Sequence, residues 1–294
     1  MRYFLLFCLS ALSLLASDAF ITASEFEKKL GQERLIIVDV GSEKAYKEAH
    51  IPGAVNTNIG AWRQSVNKHK ELRSAEEITQ EMRRLGINDD SYVVLYGHNE
   101  GKDTLKSSYL AFAMASAGFE NFALLDGSFN EWRDDEERTL SAGVETNPQG
   151  TFTPKPNPYV KVDLEYVRAN IGKLPMLDAR PTIYYYGTHL SKGVKRYGHI
   201  SGGMSSLWKD KFRMDETLHD QEVLDAIYLE GHELSKGEEV ILFCTGGLEA
   251  SMNWYLLYKH MGFKKARLYD ASMREWGNRD DTPMTRYKWE QFRR

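Results

Sequence analysis

The residue best suited to chemistry in this chain is Cys244, which follows a short apolar run and precedes two glycines. Residues 240–254 read VILFCTGGLEASMNW. The apolar run predicts a buried strand, and the glycine pair followed by helical periodicity predicts a loop that opens a helix. In parallel α/β sheets, ligands bind beyond the carboxyl ends of strands, which is where Cys244 would lie.

The loop after Cys244 predicts an anion-binding cradle. Its backbone N–H groups would converge on the sulfur, and the helix N-terminus would add partial positive charge. Both effects stabilise a thiolate, the nucleophilic form of cysteine. The cradle is assigned to Thr245, Gly246, Gly247, Leu248 and Glu249. The alternative interpretation is an inert buried cysteine that packs as a small apolar side chain.

A strand–cysteine–loop–helix segment permits phosphatase or sulfur-transfer chemistry. A cysteine-dependent phosphatase needs an arginine six residues after the cysteine to grip the phosphoryl group. That position is Ala250, and neither arginine nor lysine occurs between Cys244 and Tyr258. Sulfur transfer is therefore favoured. The thiolate would accept a sulfane sulfur, become a persulfide and pass the sulfur to a thiophilic acceptor, which requires no metal or organic cofactor.

Composition excludes several other classes. The 294-residue chain is 42% hydrophobic and 27% charged, which is ordinary for a globular protein. Its formal net charge of −4 offers no basic field, so nucleic acid is not an expected partner. Two cysteines exclude a disulfide-dense scaffold, and eight scattered histidines do not predict a metal site.

The N-terminus predicts a secretory signal peptide at residues 1–19. Arg2 precedes an apolar run at 4–15, which is too short to span a membrane, and small residues follow. Cleavage is expected between residues 16 and 19. The mature chain would then be periplasmic or secreted, would not associate with the membrane, and would keep Cys244 as its sole cysteine.

The remainder of the chain repeats itself. Five segments of the first half recur in the same order in the second, at offsets of 139 to 149 residues. They are 35–40 with 174–180, 50–54 with 199–203, 92–97 with 240–244, 118–119 with 262–263, and 125–132 with 269–276. Four of the eight prolines fall in 147–158, which predicts an extended linker. Domains are therefore expected at 20–146 and 159–294. Each would be a mostly parallel sheet flanked by helices, within the α/β class.

These motifs resemble the tandem-domain rhodaneses, the thiosulfate and 3-mercaptopyruvate sulfurtransferase family. The resemblance covers about 21–283, and its motifs are Asp39 with HIPGA at 50–54, DAR at 178–180 with GHI at 198–200, CTGGL at 244–248, and the acid and Glu-Trp closers at 126–132 and 270–276. It implies two rhodanese-like domains, with the second catalytic and the first inactive. Gly97 then stands opposite Cys244 in the inactive half.

The chain departs from the family where a substrate anion would bind. Basic residues usually follow the cysteine of thiosulfate enzymes, whereas Thr245 and Gly246 stand here. Glu249 is an acid at the loop mouth that would either cap the helix or repel anionic donors. The arginine that holds the anion in the family aligns with Tyr184. Substitute or supporting cations are sought in Arg180, Lys192, Lys195 and Arg196.

The function predicted from these residues is transfer of sulfane sulfur from a donor such as thiosulfate to a thiophilic acceptor, cyanide in vitro, through a Cys244 persulfide. The alternatives are a persulfide carrier or docking protein with little small-molecule turnover, and 3-mercaptopyruvate or polysulfide as the donor. The expected partners are a small sulfur-donor anion, a thiophilic acceptor and a periplasmic acceptor protein.

Overall fold

The computed structural model of the protein describes residues 19–98 and 102–292. The predicted signal peptide therefore lies outside the described residues, except for Ala19. Ala19 is buried, and its carbonyl accepts hydrogen bonds from the Leu124 N–H at 2.9 Å and from the Tyr255 hydroxyl. Cleavage before residue 19 would keep this carbonyl in the mature protein, whereas cleavage after residue 19 would remove it.

The first domain is built on a five-stranded sheet in which every pair is parallel. The strands of the first domain are β1 (Phe20–Ile21), β2 (Leu35–Asp39), β3 (Ala54–Asn56), β4 (Arg63–Val66), β5 (His69–Leu72), β6 (Tyr92–Tyr96) and β7 (Phe122–Leu125). Its helices are α1 (Ala23–Glu27), α2 (Glu43–Glu48), α3 (Ala75–Arg84), α4 (Lys102–Ser116) and α5 (Ser128–Arg133). The sheet order is β1-β7-β6-β2-β3, and β4 and β5 form a separate antiparallel hairpin.

The second domain repeats this plan. Its strands are β8 (Lys161–Val162), β9 (Met176–Asp178), β10 (His199–Ile200), β11 (Gly203–Ser205), β12 (Val240–Phe243), β13 (Ala266–Tyr269) and β14 (Met284–Thr285). Its helices are α6 (Leu164–Ala169), α7 (Thr182–Tyr186), α8 (Gln221–Asp225), α9 (Leu248–Tyr255) and α10 (Ser272–Trp276). The parallel sheet has the order β11-β9-β12-β13-β8, and β10 pairs antiparallel with β14.

The two sheets have the same strand order when the repeated segments are matched. The central strand is β6 in the first sheet and β12 in the second. All four residues of β12 are buried, as expected for a strand that helices cover on both faces. The predicted fold, two α/β domains with parallel sheets, is confirmed.

Local sequence signals explain the helices that flank these sheets. Apolar residues recur at helical spacing over 75–85 in the sequence, and this stretch forms α3, whose Ser74 and Glu77 make a reciprocal capping box at its start. The same spacing recurs over 107–117, which forms the later part of α4. It recurs again over 249–261, which forms most of α9 and the π-helical turn Leu256–His260 that follows it.

The domains meet through α4 and α9. The hydroxyl oxygens of Ser108 and Ser251 lie 2.8 Å apart across this interface, and the rings of Phe112 and Trp254 pack edge to face at 5.2 Å. One continuous apolar cluster contains buried residues of both domains, such as Leu95 and Leu242. The interface is thus part of the core and fixes the two sheets relative to each other.

The proline-rich segment 147–158 lies along the first domain. Its backbone N–H groups at Gly150 and Phe152 donate to the carbonyls of Arg83 and Ile87, and the Phe152 side chain is buried. The segment is extended, and these contacts hold it in place. Within the described part of the chain, no helix has the length and apolar character needed to cross a bilayer.

Candidate active site

Cys244 directly follows β12, the central strand of the second sheet, and its side chain is buried. The N–H of Gly247 donates to Sγ at 3.1 Å. Gly247 has φ +91°, and a Cβ there would lie 2.3 Å from Oδ1 of Asp270, so no larger residue keeps this turn. The carbonyl of Cys244 accepts from Met273 N–H at 3.0 Å, which fixes the loop to α10. The sulfur therefore lies between this turn, which presents the Gly247 amide, and the apolar cluster to which Cys244 belongs.

The amides of Gly246 and Ala250 also act on the sulfur and lower the pKa of the thiol. The amide of Thr245 faces the Glu249 carboxylate instead. Leu248 begins α9, and its carbonyl accepts from the Ser251 hydroxyl at 2.7 Å. The cradle predicted over 245–249 is thus present around the two glycines, and it includes Ala250 one residue further on.

The ionisation state of Cys244 differs from the sequence-based expectation. Burial, then the neighbouring charge of Glu249, raise the pKa of the thiol to about 12 in spite of the amides. The resting side chain is therefore a neutral thiol near neutral pH. This direction is opposite to the thiolate expected from the sequence, because the sequence did not reveal how completely the sulfur is removed from water.

Glu249 lies close enough to Cys244 for its charge to act on the thiol. Burial and the nearby Asp178 raise the pKa of its carboxyl, while the Thr245 amide and Arg180 lower it. Its charge raises the pKa of the thiol, so its dominant electrostatic effect opposes thiolate formation.

Arg180 is buried and bound to its own strand and to a loop. Its Nε donates to Oδ1 of Asp178 at 2.9 Å, Nη2 donates to the Gly198 carbonyl at 2.9 Å, and Nη1 lies 3.3 Å from Oγ of Ser191. These contacts brace loop 191–198 against β9.

The sequence offers three basic residues of that loop as substitute cations, namely Lys192, Lys195 and Arg196. Nη1 of Arg196 donates to the Thr282 carbonyl and Nη2 to the Trp276 carbonyl, at 2.9 and 2.8 Å. These bonds hold the segment after α10. Lys192 and Lys195 are exposed at the surface. The carbonyl of Lys192 lies 3.5 Å from Nε of Arg274, and the N–H of Lys195 donates to Oδ1 of Asn278 at 2.9 Å. Arg196 is therefore a brace for the C-terminal segment.

Arg274 lies beside the cysteine loop and is not among the cations predicted from the sequence. Its N–H donates to the Thr245 carbonyl at 2.9 Å. Its side chain lies against Gly246, where a Cβ would be 3.2 Å from Cδ and 3.4 Å from Nη1 of the arginine. The repeat contains the missed signal, since Arg274 in the second Glu-Trp closer matches Asn130 in the first.

Comparison with known proteins identifies the family to which this fold belongs. The Rhodanese-like domain model matches residues 22–135 and 163–279. The chain belongs to the rhodanese-like domain family. The resemblance stated from the motifs is thereby confirmed.

Relatives along the full length carry sulfur-transfer names. The chain is 27% identical over 278 residues to a putative thiosulfate sulfurtransferase of Mycolicibacterium smegmatis, covering 91% of this chain and 98% of that one. It is 26% identical to the sulfur carrier protein TtuD of Thermus thermophilus, covering 92% and 97%. SseA from Escherichia coli, described as a 3-mercaptopyruvate sulfotransferase, superposes with TM-score 0.74 at 24% identity, covering 87% and 99%. The enzyme class of this rhodanese-family chain is sulfurtransferase.

The first rhodanese domain has no room for a nucleophile at the matching position. A Cβ at Gly97 would lie 2.1 Å from Cβ of Asp103. The adjacent His98 uses Nε2 to contact Oδ2 of Asp39 at 2.6 Å, and its ring packs 4.2 Å from that of Phe129. The side chain of Asp103 thus fills the position where the Cβ of a nucleophile at residue 97 would lie.

The paired histidines support the chain in both domains. Nδ1 of His50 contacts the Tyr46 carbonyl, and Nδ1 of His199 contacts the Tyr185 carbonyl, each at 2.7 Å. Both rings stack on the tyrosine whose carbonyl they contact. These contacts give both histidines a structural role.

Proposed function

We propose that the protein moves sulfane sulfur from a small anionic donor such as thiosulfate to a thiophilic acceptor, with Cys244 as nucleophile and persulfide carrier. The observation that carries this proposal is the Gly247 amide aimed at Sγ, at the end of the central strand of the second domain. A persulfide on Cys244 would be anionic, and the amide cradle would stabilise its charge.

In the proposed reaction, Cys244 loses its proton and attacks the sulfane sulfur of thiosulfate. The S–S bond of the donor breaks, and sulfite leaves with its electron pair. The persulfide then transfers its terminal sulfur to cyanide, which gives thiocyanate and leaves the Cys244 thiolate. The thiolate takes back from water the proton released to water in the first step, which restores the resting thiol. No cofactor takes part in either step.

The donor anion is proposed to meet Arg274 at the loop. This guanidinium lies beside Gly246 and is half-buried, so it would bind an oxyanion more strongly than a fully exposed cation. It supplies the basic group that the residues after Cys244 do not. Glu249 acts in the opposite direction and is proposed to slow loading from dianionic donors.

The direct test is thiocyanate formation from thiosulfate and cyanide. We expect the wild-type protein to turn over and Cys244→Ser to have no activity above background. Equal rates in the two proteins would exclude Cys244 as the nucleophile.

The second candidate function is a persulfide carrier that serves a protein acceptor with little turnover of small donors. It is favoured by the neutral, buried thiol and by the acid beside it, which both slow reaction with free anions. The relative TtuD is named a sulfur carrier protein. Intact mass after polysulfide exposure separates the two functions: a stable gain of about 32 Da on Cys244 without thiocyanate turnover would favour the carrier.

We also propose that the protein acts in the periplasm or outside the cell, on the basis of the signal-like residues 1–19. N-terminal sequencing of the protein recovered from a periplasmic extract would test this. A chain that keeps Met1 and stays in the cytoplasm would refute it.

A further inference from the structure

One side chain of the first domain reaches the cysteine loop of the second. Arg63, on β4, is 7% exposed, and its Nη2 donates to the Gly246 carbonyl at 2.5 Å. The same nitrogen also donates to the Lys70 carbonyl of its own hairpin at 3.2 Å. The bond to Gly246 joins residues 183 positions apart and links the hairpin directly to the loop that holds the nucleophile.

The guanidinium is fixed by groups from both domains. Its carbon lies 4.4 Å from the centre of the Tyr109 ring on α4, and Nη2 lies 3.6 Å from Oδ1 of the fully buried Asp270. Oδ2 of Asp270 accepts from the Tyr109 hydroxyl and from Leu72 N–H, each at 2.7 Å. Buried charges are costly unless paired, so this arrangement holds Arg63 in one position.

The peptide bond between Gly246 and Gly247 connects Arg63 to the sulfur. A trans peptide is planar, so its carbonyl and N–H point in opposite directions. Arg63 holds the carbonyl side at 2.5 Å, and the N–H side donates to Sγ of Cys244 at 3.1 Å. A charge-assisted bond to the carbonyl fixes the plane and polarises the amide, which makes the N–H a stronger donor.

We propose that Arg63 is a positioning residue through which the non-catalytic domain orients the Gly247 amide toward Cys244 and so sets the reactivity of the thiol. Two consecutive glycines have no side chains to restrain this peptide, and glycine has the freest backbone of any residue. The constraint must therefore come from outside the loop.

The equivalent contact in the opposite direction, from the second domain to the first, has no arginine that reaches across the interface. There, Leu218 N–H donates to Asp126 at 2.9 Å, as Leu72 N–H does to Asp270. The neighbouring arginine, Arg213, is instead bound to Asp220 at 2.7 Å and to the Leu218 carbonyl. Of these two equivalent contacts, only the one made to the cysteine-containing domain includes an arginine that crosses the interface.

The test is the rate at which iodoacetamide alkylates Cys244, followed across pH on the peptide that carries Cys244, which separates it from Cys8. We expect Arg63→Gln to react about tenfold more slowly than wild type at each pH, since a weaker amide donor raises the pKa of the thiol by about one pH unit. Arg63→Lys, which keeps a cation near the Gly246 carbonyl, should be intermediate. Tyr258→Phe removes a 2.7 Å hydrogen bond to Glu120 in the other domain and should react at the wild-type rate.

A role limited to holding the domains together gives the opposite result, because loosened domains expose the thiol and speed alkylation. A rate in Arg63→Gln equal to or above wild type therefore overturns the proposal. If that variant does not fold, a wild-type rate in Arg63→Lys overturns it. The inference rests on the proposed function, but alkylation needs no sulfur donor. A wild-type protein that accepts no sulfur would end the proposed function and leave the Arg63 result intact.

Discussion

Replacing Glu249 with glutamine removes one charge beside the nucleophile and keeps an oxygen to accept from the Thr245 amide. Burial and Glu249 are the two largest causes that raise the pKa of the Cys244 thiol from the ordinary 9.0 to about 12. At pH 8 this lowers the thiolate fraction roughly 1,000-fold. A neighbouring like charge accounts for about one pH unit or more of such a change, so Glu249→Gln should react about tenfold faster with iodoacetamide.

The assay measures the second-order alkylation rate on the Cys244 peptide at several pH values. The matched control is Glu33→Gln, which removes the same charge at an exposed position before β2 of the other domain and should react at the wild-type rate. In both wild type and Glu249→Gln the rate should rise tenfold per pH unit below the pKa of the thiol.

The same substitution should increase sulfur loading from dianionic thiosulfate more than loading from an uncharged organic trisulfide, because it also removes repulsion of the donor. Loading is followed by intact mass. An alkylation rate in Glu249→Gln at or below that of wild type would refute the electrostatic reasoning and would leave burial alone to explain the unreactive thiol.

Three other perturbations have defined outcomes. Gly247→Ala should unfold at lower urea than Gly237→Ala, because both positions have positive φ but only Gly247 would place a Cβ against Asp270, at 2.3 Å; equal midpoints would contradict this. Burial lowers the pKa of Lys211 from 10.5 to about 7, so the unfolded chain binds an extra proton between those values and stability rises with pH across that window. Lys211→Met should abolish this rise, worth about 3–4 kcal/mol between pH 7 and 10, in urea titrations at those two pH values, and an unchanged rise would assign it to other groups. Arg274→Gln should load sulfur from thiosulfate about tenfold more slowly by intact mass, with alkylation by iodoacetamide unchanged; a slowing of both would indicate a damaged loop instead.

The candidate site shows where sequence reasoning reached its limit. Cys244, its strand and its glycine turn are contiguous in the chain, so local pattern was enough to find them. Arg274 is thirty residues from Cys244, yet the sequence still carried a signal for it, because the matching position in the first half of the repeat is Asn130. Arg63 had no such signal, because its partner carbonyl is 183 residues away in the other domain.

The sequence by itself determined the duplicated α/β architecture, since buried parallel strands read as short apolar runs and two copies of the same pattern occur in the same order. Tertiary structure alone decided the ionisation of Cys244. A pKa depends on how much water is removed and on which charges are brought near, and Asp178, 66 residues before Cys244, is one of those charges. The same packing decided that Arg274 lies beside the cysteine loop and that Arg196 braces the C-terminal segment.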